Sequence, residues 1–286
     1  MIAIDWGTSS LRCYRLDAQG SIVASRSSND GILNIGPGKF PETLERQIAG
    51  WEEAPIVMSG MVGSRQGWVE VPYVQCPAGF DEIAAKVVKL RWANREGWIV
   101  PGLSCNDAAG VPDVMRGEET QILGCGVEGT ICLPGTHSKW VEVRNGRIER
   151  FSTAMTGEVY AVLKQHSILG RMMEEGRRDS GAFAEGVERS REAGGLLHHL
   201  FGVRTRGLMG ELDAAASASY LSGILIGHEL RSQDAKRFHL LGAAELTALY
   251  QQAAAVLGIE TRTLDPNSAV RSLYRLGVML EGKEGS

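Results

Sequence analysis

The chain has no CxxC pair, no low-complexity run, no long apolar stretch and no excess of either charge. Its five cysteines, Cys13, Cys76, Cys105, Cys125 and Cys132, are odd in number and scattered. That excludes a disulfide framework and a structural zinc site, and the thiols read as reduced fillers of small core gaps. Thirty basic residues stand against 34 acidic ones, for a formal net charge of −4. Such a balance argues against general affinity for nucleic acid or for an anionic membrane. The longest uncharged helical stretch, Ala214 to Gly227, is too short to span a bilayer and is rich in Ala and Ser. Asp5 and Arg12 interrupt the apolar N-terminus too early for a signal peptide. The expected address is cytoplasmic, the expected partners are small molecules, and a homodimer is left open.

What the chain does have is glycine: 36 in 286 residues, against a usual share of about 7%. With no repetitive segment to absorb them, many must lie in tight turns or at close backbone approaches. The length suits two modest domains or one large one.

The opening MIAIDWGTSS is an apolar strand that ends in one carboxylate, Asp5, and a turn of glycine and hydroxyl residues. LRCYRL alternates like a second strand, DAQG is a turn, and SIVASRS is a third strand. A helix follows, with Pro41 near its start and Leu44, Ile48 and Trp51 on one face. PIVMSGM then reads as a buried strand running into a loop. Residues 131 to 163 repeat this plan. ICLPGTHS is a strand with a glycine and hydroxyl turn, KWVEV is the second strand, and RIERFSTAM is the third. Asn145-Gly146 marks the hairpin between them, because both positions tolerate positive φ. The following helix, TGEVYAVLKQHS, takes Thr156 as its N-cap.

Gly7, Thr8 and Ser10 match Gly135, Thr136 and Ser138 at a constant offset. Two such turns on matching meanders make physical sense as a clamp whose N–H groups and hydroxyls hold a polyphosphate from both sides. Asp5 has no counterpart, since Leu133 stands in the second copy. A strand that ends in Asp and Gly is unremarkable by itself. Beside a phosphate turn, Asp5 suits Mg²⁺, which binds few protein oxygens plus phosphate and water.

Two tempting motifs fail on context. GCGVEG, Gly124 to Gly129, fits GxGxxG, but a helix precedes it and a strand follows, the reverse of a dinucleotide fold. GPGK, Gly36 to Lys39, lacks both the first glycine and the final hydroxyl of a P-loop.

IDWGTSSLRCYRLD and LPGTHSKWVEV resemble the two phosphate motifs of the actin-like ATPase and sugar kinase superfamily. IVMSGMVGSRQGW, VMRGEETQILG, TAMTGE, LSGILIGHE and LTALYQQA extend the likeness from residue 2 to about 277, and narrow it to the 2-dehydro-3-deoxygalactonokinase family. The resemblance implies an α/β fold of the two-domain actin-like (ribonuclease H-like) kind. Its duplicated meander domains would span 1–118 and 119–286, and a helix around Asn267 to Leu280 would return to the first. It implies ATP and Mg²⁺ in a cleft, with phosphoryl transfer to the terminal (6-) hydroxyl of 2-dehydro-3-deoxy-D-galactonate. A kinase of a related sugar acid is the alternative within the class. An actin-like ATP-binding regulator without sugar kinase activity is the alternative outside it.

The same resemblance distributes roles. Gly7, Thr8, Ser9 and Ser10, with Gly135, Thr136, His137 and Ser138, would hold the phosphates and Asp5 the metal. In glycerol and xylulose kinases a Gly-Asp at a helix start supplies the base, and Gly117-Glu118 sits in that place here, with a second acid at Glu119. Two acids also simply favour the first turn of a helix. Arg116 would bind the sugar carboxylate through its planar fork, unless it is a surface partner of Glu119. Ser64, Arg65, Gln66 and Trp68 lie in a glycine-flanked loop suited to sugar contacts, and Trp68 equally suits core packing. LLGAAELTALYQQAAAVLG reads as strand, turn and helix, with Leu246, Leu249, Tyr250, Ala253 and Leu257 as its apolar stripe and Gly242 and Ala243 beside the adenosine. Thr156 and Glu158 suit a helix start better than a substrate contact. His198-His199 read as solvent-facing or interface residues, with no partner at metal-ligand spacing.

Overall fold

The structure is a computed structural model that describes residues 1–174 and 178–284. The chain divides into two compact units: Met1–Glu128 with Glu142–Phe151 and Asp265–Ser286, and Gly129–Val141 with Ser152–Leu264.

The first unit opens with β1 (Ile2–Trp6), β2 (Leu11–Leu16) and β3 (Ile22–Ser28), followed by α1 (Phe40–Ile48) and β4 (Ile56–Gly60). β5 (Val74–Gln75), α2 (Phe80–Ala84), β6 (Val88–Trp92), β7 (Arg95–Ile99), β8 (Leu103–Asn106), β9 (Pro112–Met115) and α3 (Glu118–Cys125) complete its main run. Its six-stranded sheet has the order β3-β2-β1-β4-β7-β6. β1 and β2 are antiparallel, whereas β1, β4 and β7 run parallel. Burial explains these positions. Ile2, Ala3, Ile4 and Trp6 are fully buried, as is every residue of β4, so both strands need cover on two faces. β2 alternates, with Leu11 and Cys13 inside and Arg12 outside, and β3 at the edge leaves Ile22 and Val23 exposed. A separate sheet, β5-β8-β9, had no counterpart in the sequence reading.

The second meander comprises β10 (Gly129–Leu133), β11 (Ser138–Arg144) and β12 (Arg147–Ala154), of which Glu142–Phe151 falls in the first unit. It leads into α4 (Thr156–His166), α5 (Ser180–Arg189), α6 (Gly195–Leu208) and α7 (Ala214–Ser232) of the second. β13 (Arg237–Leu240), α8 (Ala244–Leu257) and β14 (Glu260–Thr263) follow, before α9 (Ser268–Glu284). Its sheet order is β12-β11-β10-β13-β14, with β10, β13 and β14 parallel. A meander followed by two parallel strands therefore occurs twice, in the same order. Asn145 and Gly146 both have positive φ, 52° and 68°, as the hairpin between β11 and β12 requires. GCGVEG joins α3 to β10, so its helix does precede its strand.

Three readings of the sequence are corrected. Met155, not Thr156, is the N-cap of α4, and Thr156 is its first helical residue. His199 is fully buried, its ring bonded to His228 at 2.9 Å, a partner too distant in sequence to suggest itself. Of the expected stripe of α8 only Leu246 is exposed, whereas Leu249, Tyr250, Ala253 and Leu257 pack in the core, joined by Ala254.

Glycine does much of the packing. A Cβ on Gly223 of α7 would stand 2.1 Å from the Phe183 carbonyl oxygen of α5, and one on Gly186 of α5 would stand 2.2 Å from that of Tyr220. The two helices touch backbone to backbone and cannot yield to a methyl group. α9 packs against α3 in the same way, with Gly124 facing the Ser268 carbonyl oxygen. Gly223→Ala is expected to destabilise the second unit by about 1–3 kcal/mol, the usual overpacking cost. A urea midpoint equal to that of the wild type would contradict this packing.

Candidate active site

Each meander carries its glycine and hydroxyl turn between the first two strands, and each turn is braced by a glycine that follows the third strand. In the first, the N–H groups of Ile32 and Leu33 donate to the carbonyls of Gly7 and Thr8, at 3.1 and 3.2 Å. A Cβ on Gly31 would lie 2.3 Å from the Thr8 oxygen. In the second, Glu158 N–H donates to the Thr136 carbonyl at 3.0 Å, and a Cβ on Gly157 would lie 2.4 Å from the Gly135 oxygen. The braced backbone leaves Thr8, Ser9, Thr136 and His137 exposed. Gly31 and Gly157 were not singled out in the sequence. Their shared place after the third strand of each meander is the signal that could have found them.

The other turn residues differ. Ser10 is half-buried and closes its turn, its carbonyl accepting from Gly7 N–H at 2.9 Å. Ser138 is fully buried, and its hydroxyl bonds that of Tyr250 at 2.9 Å, so the side chain points into the core of the second unit. His137 is paired with Glu158. Gly242 has φ +154° and packs near Pro134, while Ala243 is the N-cap of α8. Beside them the second unit holds a cavity of about 450 Å³, lined by Gly135, Thr156, Gly157, Ser222, Leu246 and Leu249. Gly242 and Ala243 are not in its wall, whereas the exposed Leu246 is.

In the first unit, parallel pairing sets Asp5 against Ser59 and Trp6 against Gly60. Gly60 has φ +92° and no room for a Cβ, which would stand 2.7 Å from the Trp6 oxygen. Gly117, with φ +106°, packs on Gly60 in turn: a Cβ on it would stand 3.3 Å from the Gly60 Cα. Two glycines in contact thus bring the start of α3 to the ends of β1 and β4. The acids of MRGEETQ arrive with it. Glu118 Oε2 accepts from Arg116 N–H at 3.0 Å, and Glu119 Oε2 accepts from Gly117 N–H at 2.7 Å.

Their environments separate the two acids. Glu119 is fully buried, and burial, with the neighbouring Glu118 charge added, pushes its pKa up to about 8. Glu118 is half-buried. Asp5 is raised by burial, held back by Arg12 at 3.2 Å, and raised further by Glu118. Asp5 and Glu118 therefore feel each other's charge, which a divalent cation would relieve. Among the described residues no group of three or more His, Cys, Asp or Glu is gathered to hold a metal. A carboxylate with an acidic neighbour fits Mg²⁺, whose shell is finished by phosphate and water, better than a metal held in an all-protein cage.

Arg116 is buried rather than at the surface, and although its charge acts on Glu119, no hydrogen bond joins the two side chains. Its guanidinium lies 4.4 Å over the Tyr73 ring and donates from Nη2 to the Val71 carbonyl at 2.6 Å. Nε and Nη1 have no partner, and neither do Ser64 Oγ and Glu119 Oε1. Ser64 belongs to the same patch: a Cβ on Gly63, its chain neighbour, would be 2.9 Å from Arg116 Nη1. Such orphaned donors are rare in buried sites and point to a polar ligand. Arg65 and Gln66 are exposed on this loop. Trp68 is half-buried in a ring cluster, 5.0 Å from Trp92, 6.2 Å from Phe40 and 6.4 Å from Trp6, so its contacts are those of core packing.

The duplicated meander sheets, the paired turns and the acids at the start of α3 define the class: an α/β protein of the two-domain actin-like ATPase fold, of the kind used by sugar kinases. A family model described as 2-keto-3-deoxy-galactonokinase matches residues 5–276, and the chain belongs to that family. It is 37% identical to "Probable 2-dehydro-3-deoxygalactonokinase DgoK1" of Rhizobium meliloti (strain 1021), covering 94% of each chain. It is 34% identical to the 2-dehydro-3-deoxygalactonokinase of Escherichia coli (strain K12), covering 96% of each. The crystal structure of a candidate 2-dehydro-3-deoxygalactonokinase from Sinorhizobium meliloti superposes with a TM-score of 0.87 at 36% identity, over 97% of each chain. Among the described residues no helix is long and apolar enough to cross a membrane.

The raised pKa of Glu119 has a sign that can be tested. The folded chain keeps a proton that the unfolded chain releases above the ordinary carboxyl value of 4.5. This contribution to stability is fully present below that value and is lost as pH rises through about 8. Glu119→Gln stays neutral throughout, so its stability should fall less than that of the wild type across this window. Parallel curves of urea midpoint against pH for the two proteins would refute the shift.

Proposed function

We propose that the protein is an ATP-dependent carbohydrate kinase that phosphorylates the terminal (6-) hydroxyl of 2-dehydro-3-deoxy-D-galactonate in galactonate catabolism, acting in the cytoplasm. Family membership supports the reaction. The observation that carries the substrate class is Arg116: a buried guanidinium with two free donors, beside an unpartnered serine hydroxyl, suits the carboxylate of a sugar acid. An ATP-binding regulator has no use for such a group next to two acids.

In this reading the exposed hydroxyls and backbone of Thr8, Ser9 and Thr136, with His137, hold the ATP phosphates, and the cavity beside Gly135 and Leu246 receives the adenosine. Asp5 would hold Mg²⁺, which supplies charge neutralisation for phosphoryl transfer. Arg116 and Ser64 fix the acid end of the sugar, with Arg65 and Trp68 at the loop that borders it. Glu118 is the base: half-buried and beside Asp5, it can orient the acceptor hydroxyl and take its proton as the new bond to phosphorus forms. Glu119 is poorly suited to that task, since it is enclosed and holds its own proton near neutral pH.

The test is sugar-dependent ADP release with a panel of 2-keto-3-deoxy sugar acids. The galactonate derivative should give the highest kcat/KM; a panel without any active member would overturn the kinase reading. Glu118→Gln should lower kcat by about 10²–10⁴, the range for loss of a general base, and leave ATP affinity nearly unchanged. Asp5→Asn should lower kcat by about 100-fold or more while the protein stays folded. Near wild-type turnover in either variant, at saturating Mg·ATP, would remove that residue from its assigned role.

A further inference from the structure

The second unit contains a buried carboxylate to which the proposed reaction gives no part. Glu229, in the middle of the apolar packing around α7, is 6% exposed. Its Oε1 accepts from Trp140 Nε1 of β11 at 2.8 Å, and its Oε2 accepts from the Tyr250 hydroxyl of α8 at 2.6 Å. Thr156, the first residue of α4, also hydrogen-bonds it. Since Tyr250 spends its proton on Glu229, the Ser138 hydroxyl donates to Tyr250, at 2.9 Å. A chain of donors thus converges on one carboxylate.

These donors are not scattered core residues. Ser138 closes the second glycine and hydroxyl turn, and Thr156 precedes Gly157, which braces that turn. Tyr250 lies on α8, and Thr156 and Tyr250 both line the cavity beside the turn. A buried carboxylate unpaired with any cation is expensive, and a core site of this shape could be filled by apolar side chains. What the carboxylate adds is direction: its lone pairs fix β11, α4 and α8 at one mutual setting, which packing alone would not specify.

We propose that Glu229 is a positioning residue for the nucleotide. It locks the second phosphate turn to the helix that walls the adjoining cavity, so that phosphate and adenosine contacts are pre-organised together. The proposal rests on the reading that ATP occupies this turn and cavity. Glutamine in its place removes the charge and turns an NH₂ group toward the Tyr250 hydroxyl, so the charge-assisted bonds are lost, the Tyr250–Ser138 bond must reverse its direction, and the setting loosens.

The experiment is calorimetric titration of Mg·ADP into the full-length wild type, Glu229→Gln and Tyr250→Phe, with kinetics for both substrates. Val187→Ala, a core change in the same unit with no bond to the turn, controls for lost stability. Glu229→Gln should weaken ADP binding about tenfold or more and raise KM for ATP in step, while KM for the sugar acid changes less than twofold. Tyr250→Phe, which keeps the carboxylate and removes the two bonds of the Tyr250 hydroxyl, should give a shift of the same kind and serves if Glu229→Gln does not fold. ADP affinity in both variants no weaker than in Val187→Ala would reduce Glu229 to an ordinary core residue and overturn the proposal. Failure of the wild type to bind ADP would overturn the nucleotide reading itself, and this proposal with it.

Discussion

A carbonyl oxygen lying where a side chain would have to be sets the design of this protein. At Gly31 and at Gly157 the backbone after the third strand presses on the turn after the first, and a Cβ would lie 2.3 and 2.4 Å from a turn oxygen. Hydrogen bonds from Leu33 and Glu158 tie down the Thr8 and Thr136 carbonyls. With its carbonyls committed inward, each turn can show its hydroxyl residues outward in a fixed arrangement. The rest of each meander exists to deliver these two segments to one point. The parallel strand β4 extends the same logic, because Gly60 and Gly117 bring the acidic start of α3 to the end of β1.

The polar end of the first unit is strained electrostatically in a way that the apolar core underneath must offset. The Glu118 charge adds to the cost that burial already sets on ionising Asp5 and Glu119, while Arg116 keeps two donors unpaired. Each unpaired buried donor is worth about 1–3 kcal/mol of lost stability. A protein selected for stability alone would pair Arg116 with Glu119, two buried residues of opposite sign close in sequence. Their separation, with Arg116 laid on Tyr73 and Glu119 turned back to Gly117 N–H, keeps two guanidinium donors open to an anionic ligand.

Much of the fold was legible in the sequence because its signals are local. Alternation in LRCYRL, the Asn-Gly hairpin and the apolar runs of β1, β4 and β10 each follow from a few adjacent residues, and their recurrence at a constant offset exposes the duplication. The resemblance of MRGEETQ and the two turns to known motifs carried the choice of site residues. What stayed illegible depends on contacts far apart in the chain. Nothing near His199 announces His228, and nothing near Ser138 announces Tyr250. The burial of Arg116 could not be read from its charged neighbours either, since a run of Arg and Glu looks like a solvated helix start. Gly31 and Gly157 passed unnoticed for another reason: among 36 glycines, only the three-dimensional structure separates those that touch a turn from those that end a helix.

The duplication also shows how one scaffold acquires two chemistries. The backbones of the two meanders impose the same turn, yet the side chains around them have diverged in opposite directions. In the first copy Asp5 lies near the strand's end, with the half-buried Glu118 close enough to raise its pKa, which gathers acidic groups at that end of the sheet. In the second copy Leu133 takes the matching position and is buried, and the carboxylate of that unit, Glu229, lies deep in the core with only donors around it. A charge near the open end of a sheet can meet a metal ion or a proton. A charge sealed beneath a turn can do neither, but its hydrogen bonds hold the turn still. On the proposed function, separating these tasks would let the first unit tolerate the repulsion that its chemistry needs, while the second would supply a rigid surface against which a ligand is held.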